Sequence, residues 1–492
     1  MTTTIRTRFA PSPTGALHLG NARTAALNWL YARKYKGTFV LRLEDTDIER
    51  NLQGDGSRPS GEELIIEALD WLGLHPDEAP STGGPFGPYR QSERANHYAN
   101  QAEQLLASGH AFRCYCSPEE LDAHRKEAIA IGDPPGRDTK CRDRSPEEKT
   151  LTQAKGQPAS IRLRVESGPV YFEDQLKGGL SIDGDDLGDM ILVRSDGRAT
   201  YNFAATVDDY EMKISHVIRG IGHLSNTPKQ MLLYRAFGVQ PPQFIHIPTV
   251  MASGGGKLSK RAGATSLLTY RDRGYHPDAV LNYLSLLSWS SKSGEEFFER
   301  EALIEEVDLD RIGATDTEID EDKMAWLSGQ HVRSEPATTL VDHWSAFLDH
   351  TNFNMNRDDL TRSAEVFAHR TRLFSDAQSE LETIFGEPTL ESEETQVILG
   401  TREAKIAIDQ LHTTWQEVDW QAKTLGATAR DAAENTTMSK GQFFSAIRIA
   451  MTGERKGPEL GDIAYALGKE RTLSRLKHAL DKIHHNDGRE II

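Results

Sequence analysis

The chain has 492 residues, a formal net charge of -17 at pH 7 and 37% hydrophobic residues. At about 150 residues per domain this length predicts roughly three domains, and the acidic balance gives no sign of nucleic-acid binding by the chain as a whole. No apolar run approaches the roughly 18 residues of a membrane-spanning helix. The start MTTTIRTRFAPSPTG lacks the apolar stretch of a signal peptide, and three cysteines are too few for a disulfide framework. We therefore expect a soluble cytoplasmic protein.

The first fifty residues predict a strand, a loop, a helix and a second strand, which is the opening of an α/β domain. The strands are predicted at residues 5–9 and 39–43, and the helix follows the loop APSPTG. Its apolar face comprises Leu19, Ala22, Ala26, Trp29 and Leu30. The acidic residues that follow the second strand lie at the edge where open parallel sheets bind ligands.

The middle of the chain predicts an inserted domain. A helix is expected at 62–72, and the segment from about 95 to 195 holds all the cysteines and short strands such as 160–165. Strands are then predicted at 190–194, 201–207, 216–219 and 244–250, with a helix at 227–237. From about residue 278 the chain is predicted to be mainly helical, with helices at 279–289, 358–373, 401–415, 441–451 and 471–483.

Charge is distributed unevenly along these elements. Residues 1–43 hold seven Lys or Arg and no acid, and residues 211–275 hold nine Lys or Arg against two acids. Residues 276–335 reverse the balance, with fifteen acids against five basic residues. Two segments are therefore candidates for binding anions, although accidental clustering on solvated faces explains the same pattern.

The segment APSPTGALHLGNAR, residues 10–23, joins the first predicted strand to the first helix. Pro11 and Pro13 restrict the backbone, and Gly15 and Gly20 allow it to approach a ligand closely. The N terminus of the helix would offer backbone N–H groups to a phosphate, with His18 as a further donor. An ordinary turn with a surface histidine is the alternative.

A second segment, GGGKLSKRAG at residues 254–263, is a Gly-rich loop that carries Lys257 and Lys260. Such a loop suits closure over a polyphosphate, where its lysines would neutralise charge in the transition state. It is not a Walker A loop, because Leu258 stands where that motif needs Ser or Thr. A flexible basic surface loop is the alternative.

The three cysteines, Cys114, Cys116 and Cys141, fall within one short stretch. Thiols grouped so closely in a chain with no other cysteine favour a tetrahedral zinc site. Three buried structural cysteines remain the alternative.

In their order, these motifs closely resemble those of the bacterial-type glutamyl-tRNA synthetases, a family of class I aminoacyl-tRNA synthetases. The resemblance runs through essentially the whole chain and is carried by RFAPSPTGALHLG, RLEDTD, ATYNFAATVDD, VIRG, HLSNTPKQ and KLSKR. It implies a Rossmann-type α/β catalytic domain at 1–94 and 195–240, split by an inserted α/β acceptor-binding domain at 95–194 with the zinc site. A stem-contact domain at 241–336 carries the KLSKR loop, and an all-α anticodon-binding region occupies 337–492, with an internal boundary near 390.

The activity implied by the resemblance is that of a glutamate–tRNA ligase. ATP and Mg²⁺ would activate L-glutamate to glutamyl-adenylate, and the glutamyl group would pass to the 3′-terminal adenosine of tRNA(Glu), releasing AMP and pyrophosphate. Whether tRNA(Gln) is also a substrate stays open. A monomer is expected, with neither DNA nor a membrane as a partner.

The resemblance also assigns roles to individual residues. Arg8 would bind the side-chain carboxylate of glutamate and Glu44 its ammonium group, and the rest of the glutamate site would comprise Ala10, Ser12, Tyr201 and Arg219. The ATP site would comprise His18, Gly20, Asn21, Gly222, Val250, Lys257, Leu258, Ser259, Lys260 and Arg261, of which His18, Lys257 and Lys260 are the catalytic candidates. Arg370 and Arg372 are candidates for anticodon contacts.

Two positions depart from the family pattern. The family has R-G-E-D-H where this chain has Arg219-Gly220-Ile221-Gly222-His223, so only a backbone contact from Gly222 to ATP is expected there. The family's zinc pattern C-x-C-x24-C-x-H is matched except at the last ligand, where Asp143 replaces histidine. A carboxylate can bind zinc, and His124 is a further candidate.

Three other interpretations account for less of the sequence. The glutamyl-queuosine synthetase paralogue lacks anticodon-binding domains, whereas this chain continues for about 150 residues past 340. A class I nucleotidylyltransferase leaves RLEDTD and the helical C-terminal region unexplained. A catalytically inactive tRNA-binding protein is suggested only by Ile221 and Gly222.

Overall fold

The computed structural model describes residues 4–46, 60–132, 141–145, 147–148, 156, 158–254, 256, 266–349 and 355–486. The chain divides into two compact units. Unit 1 comprises Met1–Thr269 and Val280–Glu321, and unit 2 comprises Tyr270–Ala279 and Asp322–Ile492. A search of the described helices finds none with the length and apolar character that crossing a lipid bilayer requires.

The described strands of unit 1 form four small sheets. Strand β1 pairs with β2 in parallel, and β10 with β11 in parallel. A third sheet has the antiparallel order β3-β4-β7, and the fourth has the order β6-β5-β9-β8, in which β5, β8 and β9 are parallel. The strands are β1 (Arg6–Phe9), β2 (Thr38–Leu41), β3 (Ala111–Cys114), β4 (Ser160–Leu163), β5 (Pro169–Asp174), β6 (Gly178–Asp183), β7 (Ile191–Val193), β8 (His216–Gly220), β9 (Gln243–Ile247), β10 (Val250–Met251) and β11 (Thr317–Glu318).

Helices connect and cover these sheets. The α-helices of unit 1 are Leu19–Lys34, Gly61–Trp71, Ala95–Ala107, Pro118–Ile131, Gly184–Leu187, Tyr201–Glu211, Thr227–Phe237 and Arg300–Glu306. Short 3₁₀ helices occur at Gln91–Glu93, Ile221–Asn226 and Leu309–Arg311. Two further helices, Leu267–Asp272 and Pro277–Leu286, cross the unit boundary along the chain.

The opening strand–helix–strand unit is confirmed. Helix Leu19–Lys34 buries the predicted apolar face, and β1 and β2 run parallel, with Arg6 opposite Thr38. The backbone N–H of Ser215, which precedes β8, donates to the carbonyl of Arg6 over 2.9 Å. Strand β8 therefore begins beside β1, so that β2, which precedes Glu44, and β8, which ends at Gly220, both neighbour β1.

The strand predicted at 201–207 is wrong, because Tyr201–Glu211 is an α-helix. Every residue from Phe203 to Asp209 is buried, so the segment shows neither the alternation of a half-buried strand nor the stripe of an amphipathic helix. The alanine pair at 204 and 205 favours a helix. The strand predicted at 244–250 is interrupted at Pro248, because proline has no N–H for the ladder.

Unit 2 is helical, as the sequence predicts. Its helices are Glu321–Ser334 (which starts at the unit boundary), Ala337–Ser345, Arg357–Phe367, Asp376–Phe385, Glu393–Leu399, Arg402–Glu417, Ala422–Glu434, Lys440–Thr452, Leu460–Leu467 and Lys469–Asn486, with a 3₁₀ turn at Ala368–Arg370. They enclose one apolar core, whose largest side chains are those of Trp344, Phe367, Trp415 and Phe443. Capping boxes at Asn356 and Ser439 fix two of the helix starts.

One carboxylate in unit 2 accepts hydrogen bonds from two histidines. Glu335 Oε1 lies 3.0 Å from His276 Nε2 and 3.5 Å from His343 Nε2. Although partial burial opposes it, these hydrogen bonds lower the pKa of Glu335 to about 2. The same interaction raises the pKa of His343. The charged pair therefore stabilises unit 2.

We expect Glu335→Gln to lower the free energy of unfolding of unit 2 by about 1–3 kcal/mol, the cost of removing a partner from a buried polar group. The contribution of Glu335 is present above its ordinary pKa of 4.5 and is lost as the pH falls through about 2. The contribution of His343 is complete below 6.5 and is lost as the pH rises through its raised pKa. The difference in free energy of unfolding between the wild type and Glu335→Gln should therefore be largest between pH 4.5 and pH 6.5.

Urea unfolding at several pH values, followed by tryptophan fluorescence, measures this difference. The matched control is Glu394→Gln, which removes an exposed carboxylate that pairs with Arg455 in the same unit. A difference equal to that of the control at every pH would contradict the prediction.

Candidate active site

A cleft of about 410 Å³ opens in unit 1 at the carboxyl ends of β1, β8 and β9. It is lined mainly by residues 8–24, 218–223 and 247–250. The structure brings together there the predicted site residues Arg8, Ala10, Ser12, His18, Gly20, Asn21, Glu44, Tyr201, Arg219, Gly222 and Val250. The predicted ATP contacts Lys257, Leu258, Ser259, Lys260 and Arg261 lie outside the described residues.

His18 caps the helix that borders the cleft. Its Nδ1 accepts the backbone N–H groups of Gly20 at 3.1 Å and Asn21 at 3.4 Å. The two N–H groups that sequence analysis assigned to a phosphate are thus bound by the histidine itself. Because Nδ1 accepts, the ring proton lies on Nε2 in the neutral form, which makes Nε2 the donor. A Cβ at Gly20 would lie 3.1 Å from the His18 ring, so the absence of a side chain at residue 20 leaves room for the ring in this position.

Arg8 and Glu44 are held at the cleft by buried charges. Arg8 Nε donates to Asp209 Oδ1 over 3.1 Å, and Arg42 Nη1 donates to the same oxygen over 2.6 Å. Arg42 Nη2 donates to Glu44 Oε1 over 3.3 Å. Burial raises the pKa of Glu44, whereas Arg8 and Arg42 outweigh burial at Asp209 and lower its pKa. Asp209 thereby fixes the orientation of both arginines.

The neighbouring Asp208 extends this network away from the cleft. It accepts Arg94 Nε at 2.6 Å, Gln91 Nε2 at 2.8 Å and the hydroxyl of Tyr98 at 3.0 Å. Sequence analysis gave neither Asp208 nor Asp209 a role. The available signal was two adjacent acids in an otherwise apolar segment, which require cationic partners if the segment is buried.

Arg219 is almost fully buried and has one nitrogen to offer a ligand. Its Nε donates to His246 Nε2 over 3.0 Å, and its Nη2 donates to Thr227 Oγ1 and Gln230 Oε1, both over 2.9 Å. Nη1 is buried without a hydrogen-bond partner among the described residues. A buried cation with an unused donor in the wall of a cleft suits an anionic ligand.

Tyr201, Ile221, Gly222 and His223 also line the cleft. The hydroxyl of Tyr201 lies 3.1 Å from His223 Nδ1. Ile221 and Gly222, where the family has an acidic pair, both line the cleft. A Cβ at Gly222 would meet no atom within 4 Å, so steric exclusion does not explain the missing side chain.

The three cysteines form a separate cluster in unit 1. Their Sγ atoms all lie within 4.8 Å of one another, and those of Cys116 and Cys141 are 3.7 Å apart. Asp143 is outside this group, and its carboxylate instead accepts Arg164 Nη1 over 3.2 Å. His124 is outside it as well. Three grouped thiols are a donor set that fits zinc.

The candidate anticodon residues lie in unit 2. Arg370 forms an ion pair with Glu380, and the backbone N–H of Arg372 donates to Asp376 Oδ2 over 2.8 Å. Their part in RNA binding stays a prediction.

Comparison with known families decides how this cleft is classified. The family described as tRNA synthetases class I (E and Q), catalytic domain, matches residues 4–326, and the anticodon binding domain family matches residues 338–480. The chain belongs to this family of class I tRNA synthetases for E and Q. The expected class I catalytic fold and helical C-terminal anticodon-binding domain are thereby confirmed.

Full-length relatives agree with this membership. The glutamate–tRNA ligase of Symbiobacterium thermophilum is 38% identical over 486 residues, which cover 96% of this chain and 99% of the relative. Glutamate–tRNA ligase 1 of Thermoanaerobacter pseudethanolicus is 39% identical over 487 residues, covering 97% and 99%. A crystal structure of a glutamate tRNA ligase from Elizabethkingia meningosepticum, in complex with its amino acid, has a TM-score of 0.81 and 31% identity, covering 98% and 100%.

The geometry of the ion-pair network generates a stability prediction. We expect Asp209→Asn to destabilise unit 1 by about 3–5 kcal/mol, because it leaves Arg8 and Arg42 buried without their shared counter-charge. Asp196→Asn is the control, since it removes an exposed partner of Arg198 and should cost at most about 1 kcal/mol. Denaturant unfolding of both variants measures the difference, and equal costs would contradict the role given to Asp209.

Proposed function

We propose that this chain activates L-glutamate with ATP and Mg²⁺ and transfers the glutamyl group to the 3′-terminal adenosine of tRNA(Glu). The observation that carries the proposal is the full-length similarity to glutamate–tRNA ligases. The cationic and acidic groups of Arg8, Arg219 and Glu44 in one cleft support it.

Glutamate matches the charges of the cleft. It presents two carboxylates and one ammonium group. The cleft is lined by three guanidinium groups, of which that of Arg23 donates to Pro248 O and Ser288, and by the carboxylate of Glu44. Arg8 is assigned to the side-chain carboxylate, Glu44 to the ammonium group, and Arg219 with Tyr201 to the remainder of the amino acid. A charge-assisted pair with a guanidinium favours glutamate over neutral glutamine. Ala10 and Ser12 line the same site.

The first step needs no protein nucleophile. An oxygen of the glutamate α-carboxylate attacks the α-phosphorus of ATP, the bond to the bridging oxygen breaks, and pyrophosphate leaves. The attacking carboxylate is already ionised at neutral pH, so catalysis consists of positioning and of stabilising charge on phosphate. His18 supplies a neutral donor, and Lys257 and Lys260 are assigned the cationic part from the sequence.

In the second step a terminal ribose hydroxyl of the tRNA attacks the carbonyl carbon of glutamyl-adenylate. The ester forms, the O–H bond of the hydroxyl and the bond to the phosphate oxygen break, and AMP and a proton leave. The helical region at 338–480 belongs to an anticodon-binding family, which supports tRNA as the acceptor.

The proposal predicts pyrophosphate exchange into ATP that depends on both glutamate and tRNA. Lys260→Ala should slow it by about 10²–10³-fold, the scale measured for losing one donor to a transition-state oxyanion. The control Lys126→Ala removes an exposed lysine that pairs with Asp122. Exchange without tRNA would argue against the family mechanism, and no exchange at all would favour an inactive tRNA-binding protein. Charging purified tRNA(Glu) and tRNA(Gln) determines which tRNAs are accepted.

We also propose that Cys114, Cys116 and Cys141 bind one structural zinc ion, with Asp143 as the fourth ligand. Asp143 follows Cys141 by two residues, so its carboxylate can exchange Arg164 for the metal. Metal analysis of EDTA-dialysed protein should give about one zinc per chain. Cys116→Ser should abolish zinc retention and Asp143→Ala should weaken it. Well under one zinc in the wild type would contradict the site, and unchanged retention in Asp143→Ala would exclude that residue as a ligand.

A further inference from the structure

Arg219 is anchored on the side away from the cleft by a buried histidine that carries no assigned role. His246 lies on β9, next to β8, where Arg219 and His246 are direct partners in the strand register. Arg219 Nε donates to His246 Nε2 over 3.0 Å. The guanidinium is also held through Nη2 by Thr227 and Gln230, so Nη1 alone lacks a partner among the described residues.

For His246 to accept this hydrogen bond, its Nε2 must carry no proton. The ring proton then lies on Nδ1, which donates to Asp174 Oδ2 over 2.7 Å. The same oxygen accepts the backbone N–H of His246 over 3.0 Å, and Oδ1 accepts the backbone N–H groups of Leu176 and Lys177. Backbone N–H groups therefore fix the Asp174 carboxylate, and its Oδ2 is held as the acceptor for His246 Nδ1.

The electrostatic surroundings keep His246 neutral. Burial lowers its pKa below the ordinary value of 6.5, and the cations of Arg219 on β8 and Arg8 on β1 lower it further. Asp174 on β5 raises the pKa of His246 and so opposes these effects. The ring of Phe244 stacks on that of His246, with 6.3 Å between the ring centroids. Helix Thr227–Phe237 faces the imidazole with the neutral hydroxyl of Thr227. Neutral His246 can accept from Arg219, whereas the protonated form could not.

We propose that Asp174 and His246 are positioning residues that hold the Arg219 guanidinium so that Nη1 is presented to a carboxylate of the amino-acid substrate. This inference rests on the proposed function. His246, Thr227 and Gln230 hold the Arg219 side chain in one conformation before the substrate binds. Binding therefore does not cost the conformational entropy of ordering a long side chain. The expected consequence is a lower KM for glutamate, with the ATP site unaffected.

Two substitutions at His246 separate its two hydrogen bonds. In His246→Gln the carbonyl oxygen can reach the place of Nε2 and still accept from Arg219. In His246→Asn the shorter amide can replace only Nδ1, which keeps the bond to Asp174 and loses the bond to Arg219. We expect His246→Asn to raise the KM for glutamate by about 10- to 100-fold, the range for a hydrogen bond to a charged group, without changing the KM for ATP. His246→Gln should stay closer to wild type.

Asp174→Asn provides a second route that leaves the histidine in place. With its carbonyl oxygen kept on the backbone N–H groups of Leu176 and Lys177, the Asn amide group would lose the bond from the backbone N–H of His246 and would donate to Nδ1. The ring proton would then lie on Nε2 and remove the acceptor for Arg219, as the wrong tautomer does in serine-protease triads. It should raise the KM for glutamate as His246→Asn does. His110→Asn is the control, because it changes an exposed histidine that contacts Ser108.

A pH profile gives a readout that a structural role would not move. In the wild type the KM for glutamate should rise as the pH falls through the lowered pKa of His246, because protonation removes the acceptor and adds a cation beside Arg219. His246→Gln should flatten that rise. Pyrophosphate exchange in the presence of tRNA, with glutamate or ATP varied, measures both constants.

The outcomes are distinguishable. No glutamate-dependent exchange by the wild type would overturn the proposed function and this role with it. An active wild type, with His246→Asn and Asp174→Asn unchanged in KM for glutamate, would overturn only the positioning role. Equal rises in the KM for glutamate and for ATP, or an acid limb in His246→Gln identical to that of the wild type, would also overturn it, whereas a residual limb follows from the raised pKa of Glu44.

Discussion

Two adjacent carboxylates buried in one helix organise the described part of unit 1. Asp208 and Asp209 cannot leave water without cationic partners, since an unpaired buried charge costs several kcal/mol. Their partners Arg8, Arg42 and Arg94 come from β1, from the residue after β2 and from the start of helix Ala95–Ala107. Satisfying the two acids therefore fixes the helix Tyr201–Glu211 against these segments, and places Arg8 at the cleft.

Arg219 is also a buried charge, but its hydrogen-bond partners among the described residues carry no charge. Its anchors are neutral side chains, so its charge is hydrogen-bonded but not balanced by a carboxylate in direct contact. Burial lowers the pKa of Arg219 for that reason. Arg8 shares its counter-charge with Arg42, whereas Arg219 gains one only when an anion enters the cleft. An anionic ligand thus supplies the counter-charge of Arg219. A cleft with such a buried cation therefore favours ligands by their negative charge as well as by their shape.

Elements with a clear period are predictable from the sequence, whereas the hydrogen bonds that side chains form in the folded chain are not. The helix at 227–237 has the predicted bounds, because Pro228 marks its start and Gly238, with a φ of +68°, its end. The sequence predicts a strand where the helix Tyr201–Glu211 lies, because a helix buried on all sides shows no hydrophobic period. The partners Arg8 and Asp209 are 201 residues apart, and His18 binds the amides that were expected to be open to phosphate. The adjacent acids 208 and 209 indicate that cationic partners are needed but not which ones, and a histidine before a helix does not reveal that its own ring binds the first amides.

Counting charges along the chain also misleads once the chain is folded. The seven basic residues of segment 1–43 have no acid among them, yet Glu78, Asp209 and Asp77 pair with Arg6, Arg8 and Arg33. Part of the apparent excess is therefore cancelled by acids from elsewhere in the sequence, and its field at the surface is weaker than the count implies. What distinguishes the cleft is the number of donors that the fold leaves without a partner. Segments 1–43 and 211–275 have the same excess of seven basic residues, so the count does not reveal that Arg219 Nη1 is buried without a partner among the described residues.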